Sequence, residues 1–214
     1  MSVLIVFICH DDESVEHVIH YGYPILFVGD KETLYGDKVI MVRELPDHIE
    51  HLPKFLTFTA WYAIVKNNLF VHYEHLCLLE WDVVLEDSFV SNLTGSCKKN
   101  KAISFVEVGA FGLWVDVNKQ VFAEFLKQKG CQVHSITSWG STSNQCLRRD
   151  LLVSFVDWYY PSCLWILQED PRQTSWYHER LYMVYLANQN IPFALCEGLT
   201  HFYKDSHKTF NKIT

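Results

Sequence analysis

The sequence has no surplus of positive charge. Its 214 residues include 18 Lys and Arg against 25 Asp and Glu, which gives a formal net charge of −7. General binding to nucleic acid needs a stripe or patch of Lys and Arg, and the sequence contains none. We therefore predict no nucleic-acid partner, and an anionic ligand would need a metal ion or helix N-termini to balance its charge.

Cysteine-pairing motifs and membrane signals are also missing. The seven cysteines are odd in number, widely scattered and form no CxxC motif, which is typical of a reduced intracellular protein. The apolar run Val3–Cys9 has no basic region before it and is too short to span a membrane. We therefore expect a cytoplasmic chain without a transmembrane segment.

No repeat, low-complexity segment or linker divides the chain. With 49% hydrophobic and 20% charged residues, a chain of this length is expected to form one globular domain over residues 1–214. Within it, residues 1–100 show a regular alternation of patterns, whereas residues 101–214 are less regular and rich in aromatic residues.

The first half alternates strand and helix patterns. Continuous apolar runs predict four strands, at residues 3–9, 24–29, 38–42 and 75–81. One helix is predicted after a cap at Asp11 or Asp12, with Gly22 at its end, and another from Pro53 to about Asn67. This order predicts the α/β class, with an open, mixed, mostly parallel sheet flanked by helices and a Rossmann-like N-terminal half.

The second half gives shorter signals. Strands are predicted at residues 102–108, 113–117 and 192–196, and helices at residues 121–129, 150–167 (interrupted at Pro161) and 176–188. The polar run at residues 138–145 is interpreted as a loop.

Two carboxylates end the strand predicted at residues 75–81. Glu80 and Asp82 flank Trp81 where the apolar run stops, and buried strands exclude charge unless something compensates it. One interpretation is a hard cation held by oxygen ligands, with its other positions left for phosphate. The alternative is a strand that runs into a solvated acidic turn, and the spacing alone leaves both open.

Polar residues follow two other predicted strands. His10 and Asp11 come after the first strand, and Asp30 comes after the second. Ligands of open α/β sheets bind at the carboxyl ends of the strands, so we expect these side chains to lie at the same edge as Glu80 and Asp82. A plain helix cap for Asp11 and a turn residue for Asp30 are the alternatives.

Taken in chain order, these features resemble the GT-A fold of nucleotide-sugar glycosyltransferases. Glu80-Trp81-Asp82 resembles the D/E-x-D motif of that family. The family has a glycine-containing loop near donor and acceptor, and four consecutive residues of this chain resemble it: Gly109, Ala110, Phe111 and Gly112. Glu179 resembles an acidic residue at the head of a helix beneath the acceptor, although relatives often have a second acid where this chain has Arg180.

The resemblance implies an enzyme that uses Mn²⁺ or Mg²⁺ to move a hexose or deoxyhexose from a UDP-sugar donor to a glycan acceptor. Asp82 would ligate the metal together with His201, which resembles a C-terminal histidine of the family. Glu80 would contact the ribose or reach the metal through water. Glu179 would be the general base or a substrate-binding residue, and Trp176 near it would offer an aromatic face to a sugar.

The resemblance also implies the nucleotide contacts. Asp30 would hydrogen-bond the uracil ring, and His10 and Asp11 would meet the base or the diphosphate. More narrowly, the chain resembles the glycosyltransferase domain at the N-terminus of large multidomain chlorella-virus proteins. That likeness implies further domains in the natural chain, a viral glycoprotein glycan as acceptor and the host cytoplasm as the compartment.

Two other function classes stay open on the sequence alone. A metal-dependent phosphohydrolase would also use carboxylates at a sheet edge, but it would need a second metal or a phosphate-binding Lys/Arg cluster near them. A catalytically inactive sugar-binding module would keep the fold and its aromatic residues but would not need Asp82 or Glu179.

Overall fold

The structure is a computed structural model, and it describes residues 2–109, 119–131, 136, 138–140, 143–170 and 174–201. Its strands are β1 (Val3–Cys9), β2 (Ile25–Phe27), β3 (Ile40–Met41), β4 (His75–Glu80), β5 (Val83–Leu85), β6 (Ala102–Ser104), β7 (Glu107–Gly109), β8 (Ser138–Gly140), β9 (Gln145–Arg148), β10 (Phe193–Leu195) and β11 (Leu199–His201). Its α-helices are α1 (Asp12–Val18), α2 (Thr57–Lys66), α3 (Phe89–Cys97), α4 (Gln120–Gln128), α5 (Arg149–Tyr159), α6 (Cys163–Glu169) and α7 (Thr174–Asn188).

A seven-stranded sheet in the order β10-β6-β9-β4-β1-β2-β3 forms the centre of the described chain. Neighbouring strands are parallel except at β9, which runs antiparallel to both β4 and β6. Two short antiparallel pairs, β5 with β11 and β7 with β8, lie beside this sheet. The predicted mixed, mostly parallel α/β sheet is confirmed.

Helices cover both faces of the sheet. Along β1, Val6 and Ile8 belong to one buried cluster, whereas Phe7 and Cys9 belong to the cluster on the opposite face. The first cluster is built on aromatic side chains of α2, α5 and α7, which include Trp61, Phe155 and Tyr182. Because both faces are buried, the strands read as continuous apolar runs, which is why the sequence predicted them.

The helix predicted to begin near Pro53 is interrupted. A 3₁₀ turn spans Pro53–Phe55, and α2 starts only at Thr57. Between them Leu56 has φ 38° and ψ −114°, a backbone conformation that an L-residue rarely adopts. The chain therefore makes a sharp corner at Leu56, next to the carboxyl edge of the sheet.

Other predictions need correction. The loop predicted at residues 138–145 was wrong in part, because residues 138–140 form β8 and Gln145 begins β9. Helix α3 was not predicted, although its buried residues Phe89, Leu93 and Cys97 recur at every fourth position. The strand predicted at residues 113–117 lies outside the described residues. Within the part of the chain that the structure describes, no helix has both the length and the apolar character needed to cross a bilayer.

Candidate functional site

The carboxyl ends of β1 and β4 border a crevice. From β1 the chain continues to β2 on one side and later returns to β4 on the other side, which makes this the switch point where ligands of open α/β sheets bind. A cavity of about 210 Å³ lies there. It is lined by Ile8, His10, Val28, Leu56, Thr57, Glu80, Trp81 and Asp82.

Glu80 is the last residue of β4, and hydrogen bonds hold both its backbone and its side chain. Its backbone N–H donates to Asn144 Oδ1 at 2.6 Å. Its side-chain Oε1 accepts a hydrogen bond from the hydroxyl of Thr57, the first residue of α2, also at 2.6 Å. The first bond fixes the backbone at the end of β4, and the second orients the carboxylate in the wall of the cavity.

Asp82 also lines the cavity, two residues after Glu80. Its Oδ1 is buried, and no hydrogen-bond donor among the described residues reaches it. Burial, followed by the charge of Glu80, raises the pKa of Asp82 to about 7. A buried carboxylate oxygen that lacks a donor is costly, and a cation is the partner that would compensate it.

Glu179 is a second, mostly buried carboxyl group at this edge. Its Oε1 accepts from Ser143 Oγ at 2.7 Å, and its Oε2 accepts from Arg180 Nη1 at 2.6 Å. Burial raises the pKa of Glu179 to about 7, because the lowering effect of Arg180 is smaller and the charge of Glu80 adds to the rise. The helix-head position expected for Glu179 is corrected, since α7 begins at Thr174 and Glu179 lies in its second turn.

His201 reaches the site from β11, where it lies opposite Val83 of β5. Its Nε2 is 2.8 Å from Asn144 Nδ2. Because Asn144 Oδ1 accepts from the Glu80 N–H, its Nδ2 must be the donor, which leaves His201 Nε2 as the acceptor and puts the ring proton on Nδ1. Burial lowers the pKa of His201, so the ring is neutral at pH 7.

The structure therefore brings four predicted site residues to one edge, namely Glu80, Asp82, Glu179 and His201. Glu80 raises the pKa of both other carboxyl groups, and Asn144 joins Glu80 to His201. The group combines acids poised near neutral pH with a neutral imidazole, which suits both cation binding and proton transfer.

The residues predicted to contact a nucleotide are placed less uniformly. His10 lines the cavity and meets Trp81 edge-on, with ring centroids 6.1 Å apart. Asp11 caps α1, since its Oδ1 accepts from Ser14 N–H at 2.9 Å. Partial burial alone would raise the pKa of Asp11, but the Ser14 hydrogen bonds and His10 hold it below its ordinary value. Asp30 is exposed and lies outside the cavity lining.

The predicted glycine-containing loop falls mostly outside the described residues. Gly109 ends β7, where it pairs with Ser138 of β8. Ala110, Phe111 and Gly112 are not among the described residues, and Trp176 lies in α7 with only its backbone described.

The described residues at this edge can be tested for their ability to bind a metal ion. Among the described residues, no three or more Asp, Glu, His or Cys side chains are arranged as a metal site. Mg²⁺ in nucleotide-dependent enzymes is held by one or two carboxylates together with substrate phosphates and water, rather than by an all-protein cage. The orphaned Oδ1 of Asp82, with Glu80 beside it, fits such a shared site.

Three residues at the site were not found from the sequence: Thr57, Ser143 and Asn144. The last two are buried and lie near the end of the polar run that was interpreted as a loop. They reach the carboxyl edge because β9 is antiparallel, so the chain just before it lies at the edge where the parallel strands end. The polar run itself was the available signal, but nothing in it indicated the direction of β9.

Comparisons with known proteins give structural neighbours only. No family model matches the sequence, and no curated protein sequence matches it. The apo structure of the bifunctional glycosyltransferase WbbM superposes with a TM-score of 0.64 at 11% identity, over 94% of this chain and 45% of WbbM. The match to the galactosyltransferase LgtC with donor and acceptor sugar analogues (TM-score 0.46, 12% identity) covers 89% of this chain and 72% of the LgtC chain. The match to the S. cerevisiae mannosyltransferase Ktr4p with GDP (TM-score 0.46, 13% identity) covers 94% of this chain and 71% of the Ktr4p chain.

The likeness to WbbM establishes the fold. The seven-stranded mixed sheet flanked by helices is a GT-A-like α/β fold, as the sequence predicted. This chain spans less than half the length of WbbM.

Proposed function

We propose that this chain is a metal-dependent glycosyltransferase that moves a hexose or deoxyhexose from a UDP-sugar to a glycan acceptor. The observation that carries the proposal is the convergence of four side chains at the ligand-binding edge of a GT-A-like sheet. Glu80 and Asp82 line the 210 Å³ cavity, the charge of Glu80 acts on Glu179, and Asn144 links Glu80 to His201. The fold alone would not carry it, because one fold hosts many functions.

On the donor side, Asp82 and His201 would hold Mn²⁺ or Mg²⁺ with the diphosphate. The bound cation would stabilise the negative charge that develops on the leaving phosphate. Glu80, oriented by Thr57, would contact the ribose or a metal-bound water. His201 Nε2 accepts from Asn144, so ligation through that nitrogen would exchange this hydrogen bond for the metal.

On the acceptor side, Glu179 would remove the proton of the attacking hydroxyl. A carboxyl group with a pKa near 7 is matched to this role, because a useful fraction is ionised at neutral pH and still basic enough to accept a proton. Ser143 and Arg180 fix its orientation. Deprotonation by Glu179 would lead to inversion at the anomeric carbon.

The remaining parts of the proposal rest on the sequence resemblance. His10 and Asp11 would meet the base or diphosphate, Asp30 the uracil ring, and Trp176 with the loop that begins at Gly109 the sugars. Residues 1–100 would bind the donor and residues 101–214 the acceptor within one domain. A viral glycan as product, further domains in the natural chain and a cytoplasmic location belong to the same proposal.

Calorimetric titration with UDP, with and without Mn²⁺, tests the proposal. The wild type should bind UDP only when Mn²⁺ is present. Asp82→Asn should lose this Mn²⁺-dependent binding, because asparagine has nearly the same shape as aspartate but lacks its negative charge. Asp87→Asn is the matched control, since Asp87 is an exposed acid in the segment that follows β5.

The other function classes predict different results. A sugar-binding module would show no manganese-dependent UDP affinity, and Asp82→Asn would leave its glycan affinity unchanged. A phosphohydrolase would release phosphate from UDP rather than sugar from UDP-hexose. Either result would contradict the proposed transfer reaction.

A further inference from the structure

Glu50 does not line the cavity, but its side chain connects the segments that form two of the cavity walls. Val28 lies in one wall, immediately after β2, and Leu56 and Thr57 lie in the other, at the start of α2. Glu50, from the segment between β3 and α2, contacts the residue that follows Val28 and a residue in the first turn of α2. Its Oε2 accepts from Gly29 N–H at 2.9 Å, and its Oε1 lies 3.3 Å from Thr59 Oγ1.

The first contact fixes the turn after β2. Gly29 has φ +100°, a conformation that other residues rarely adopt, so the turn needs glycine for its backbone and an acceptor for its N–H. Val28 is joined to β1 by its own N–H, which donates to Cys9 O at 2.8 Å. The Glu50 carboxyl group therefore holds the turn immediately behind a residue of the cavity wall.

The second contact supports the corner at Leu56. The Thr59 N–H and hydroxyl both donate to Leu56 O, at 2.9 and 2.5 Å, and so hold this residue in its unfavourable conformation. The corner aims the Thr57 hydroxyl at Glu80 Oε1. Strained backbone of this kind persists only where surrounding contacts over-determine it.

We propose that Glu50 is a positioning residue, which ties the Gly29 turn to the first turn of α2 and thereby sets the shape of the cavity without touching its ligand. The inference deepens the proposed function and rests on it for the identity of the ligand, a uridine diphosphate group. Burial raises the pKa of Glu50 in spite of its hydrogen bonds, which agrees with a carboxyl group used to bridge neutral partners.

Hydrogen bonding distinguishes the informative variants. The Thr59 hydroxyl donates to Leu56 O at 2.5 Å and, over a longer distance, to Glu50 Oε1 at 3.3 Å, so two acceptors share its one proton, while the oxygen Oγ1 can itself accept from a donor at position 50. Glu50→Gln keeps both contacts, because its carbonyl oxygen can accept from Gly29 N–H while its amide donates to Thr59. Glu50→Ala loses both. Glu44→Ala is the control, since Glu44 is an exposed acid in the same segment of chain.

The test combines amide hydrogen exchange of the free protein with titration of UDP in the presence of Mn²⁺. In Glu50→Ala we expect about tenfold faster exchange at Gly29 and about tenfold weaker UDP affinity, which is equivalent to about 1.4 kcal/mol. Donor KM should rise while kcat changes little. Glu50→Gln and Glu44→Ala should both match the wild type. If Glu50→Ala does not fold, Thr59→Val takes its place and should raise donor KM.

Two results would overturn the inference. One is unchanged Gly29 exchange in Glu50→Ala, and the other is Glu50→Gln as damaging as Glu50→Ala, which would indicate a role for charge instead of positioning. If the wild type does not bind UDP, the proposed function fails, whereas exchange at Gly29 still decides whether Glu50 holds the turn.

Discussion

Asn144 Nδ2 lies 2.8 Å from Nε2 of His201, and this contact connects two segments of the chain 57 residues apart. The same amide accepts from the backbone of Glu80 at 2.6 Å, so its orientation is set and His201 is held with its proton on Nδ1. An uncharged side chain thus links the strand that carries the acidic residues to the histidine.

Asn144→Asp should raise the pKa of His201. The new carboxylate would still accept from the Glu80 N–H, but it would place a negative charge beside Nε2 and favour the protonated ring. The measurement is an NMR titration of the His201 ring proton Hε1. Asn92→Asp is the charge-matched control, because Asn92 is exposed on α3, and an equal shift in both variants would contradict a direct Asn144–His201 contact.

Glu179→Gln should lower kcat by about 10²- to 10⁴-fold, the usual contribution of a general base. Affinity for UDP with Mn²⁺ should stay near that of the wild type, because the change removes a proton acceptor and keeps the shape. In the wild type, kcat should rise with pH up to about 7, as Glu179 becomes ionised. A variant that loses UDP affinity instead would move Glu179 to the donor side.

Thr57→Val should weaken both the fold and the donor site. Thr57 is buried and donates to the Glu80 carboxylate, and hydrogen bonds to charged groups contribute about 1.5–3 kcal/mol. Urea denaturation and UDP titration measure the two effects. Thr57→Ser keeps the hydroxyl and should recover most of both; if it behaves like Thr57→Val, the methyl group rather than the hydrogen bond matters.

Stability should fall as pH rises from about 4 to 7 in the absence of metal. The pKa values of Asp82 and Glu179 are raised from 3.8 and 4.5 to about 7 in the folded chain. In this window the folded state holds protons that the unfolded state has released, so each group lowers the unfolding free energy by up to about 1.4 kcal/mol per pH unit.

Calorimetric Tm values across this pH range check the effect. Asp82→Asn should flatten the slope, and Mn²⁺ should raise Tm more at pH 8 than at pH 5.5 because it binds the ionised carboxylate. Asp87→Asn should leave the slope unchanged, and a slope that rises with pH in the wild type would refute the assignment.

Two glycines should respond in opposite directions to substitution by alanine. A Cβ on Gly140 would come within 2.6 Å of Ser104 Cβ, so Gly140→Ala should destabilise the chain by about 1–3 kcal/mol. Gly95 lies in α3 with nothing within 4 Å of the added atom, so Gly95→Ala should stabilise by about 0.5–1 kcal/mol. Urea denaturation of both variants is the measurement, and equal effects would contradict the close approach of β8 to Ser104.

The sequence predicted those parts of the fold whose residues are buried on both sides. Strands β1 and β4 were found because their side chains enter both cores and leave no polar interruption. Strand β9 was missed because only Cys146 and Leu147 in it are buried and apolar, and its ends, Gln145 and Arg148, are polar. Short strands of this kind are defined by their neighbours in the sheet, which a local pattern does not contain.

Only the charged residues of the candidate site could be predicted from the sequence. Glu80 and Asp82 stood out because carboxylates at the end of an apolar run need a reason. Thr57 and Asn144 did not stand out, since hydroxyl and amide side chains are common at turns and carry no such cost. Their importance arises from tertiary contacts across the sheet edge, for example the contact between Asn144 and Glu80 over 64 residues.

The pairing of β11 with β5 has a consequence for the order in which the candidate site can assemble during synthesis. The strands β1, β2, β3 and β4 and all residues that line the cavity are synthesised well before His201. Contacts of such large sequence separation form slowly, because loop closure precedes any gain from pairing. A chain that stops before β11 would therefore lack His201 at the candidate site, and the β5–β11 pairing would be among the last contacts to form.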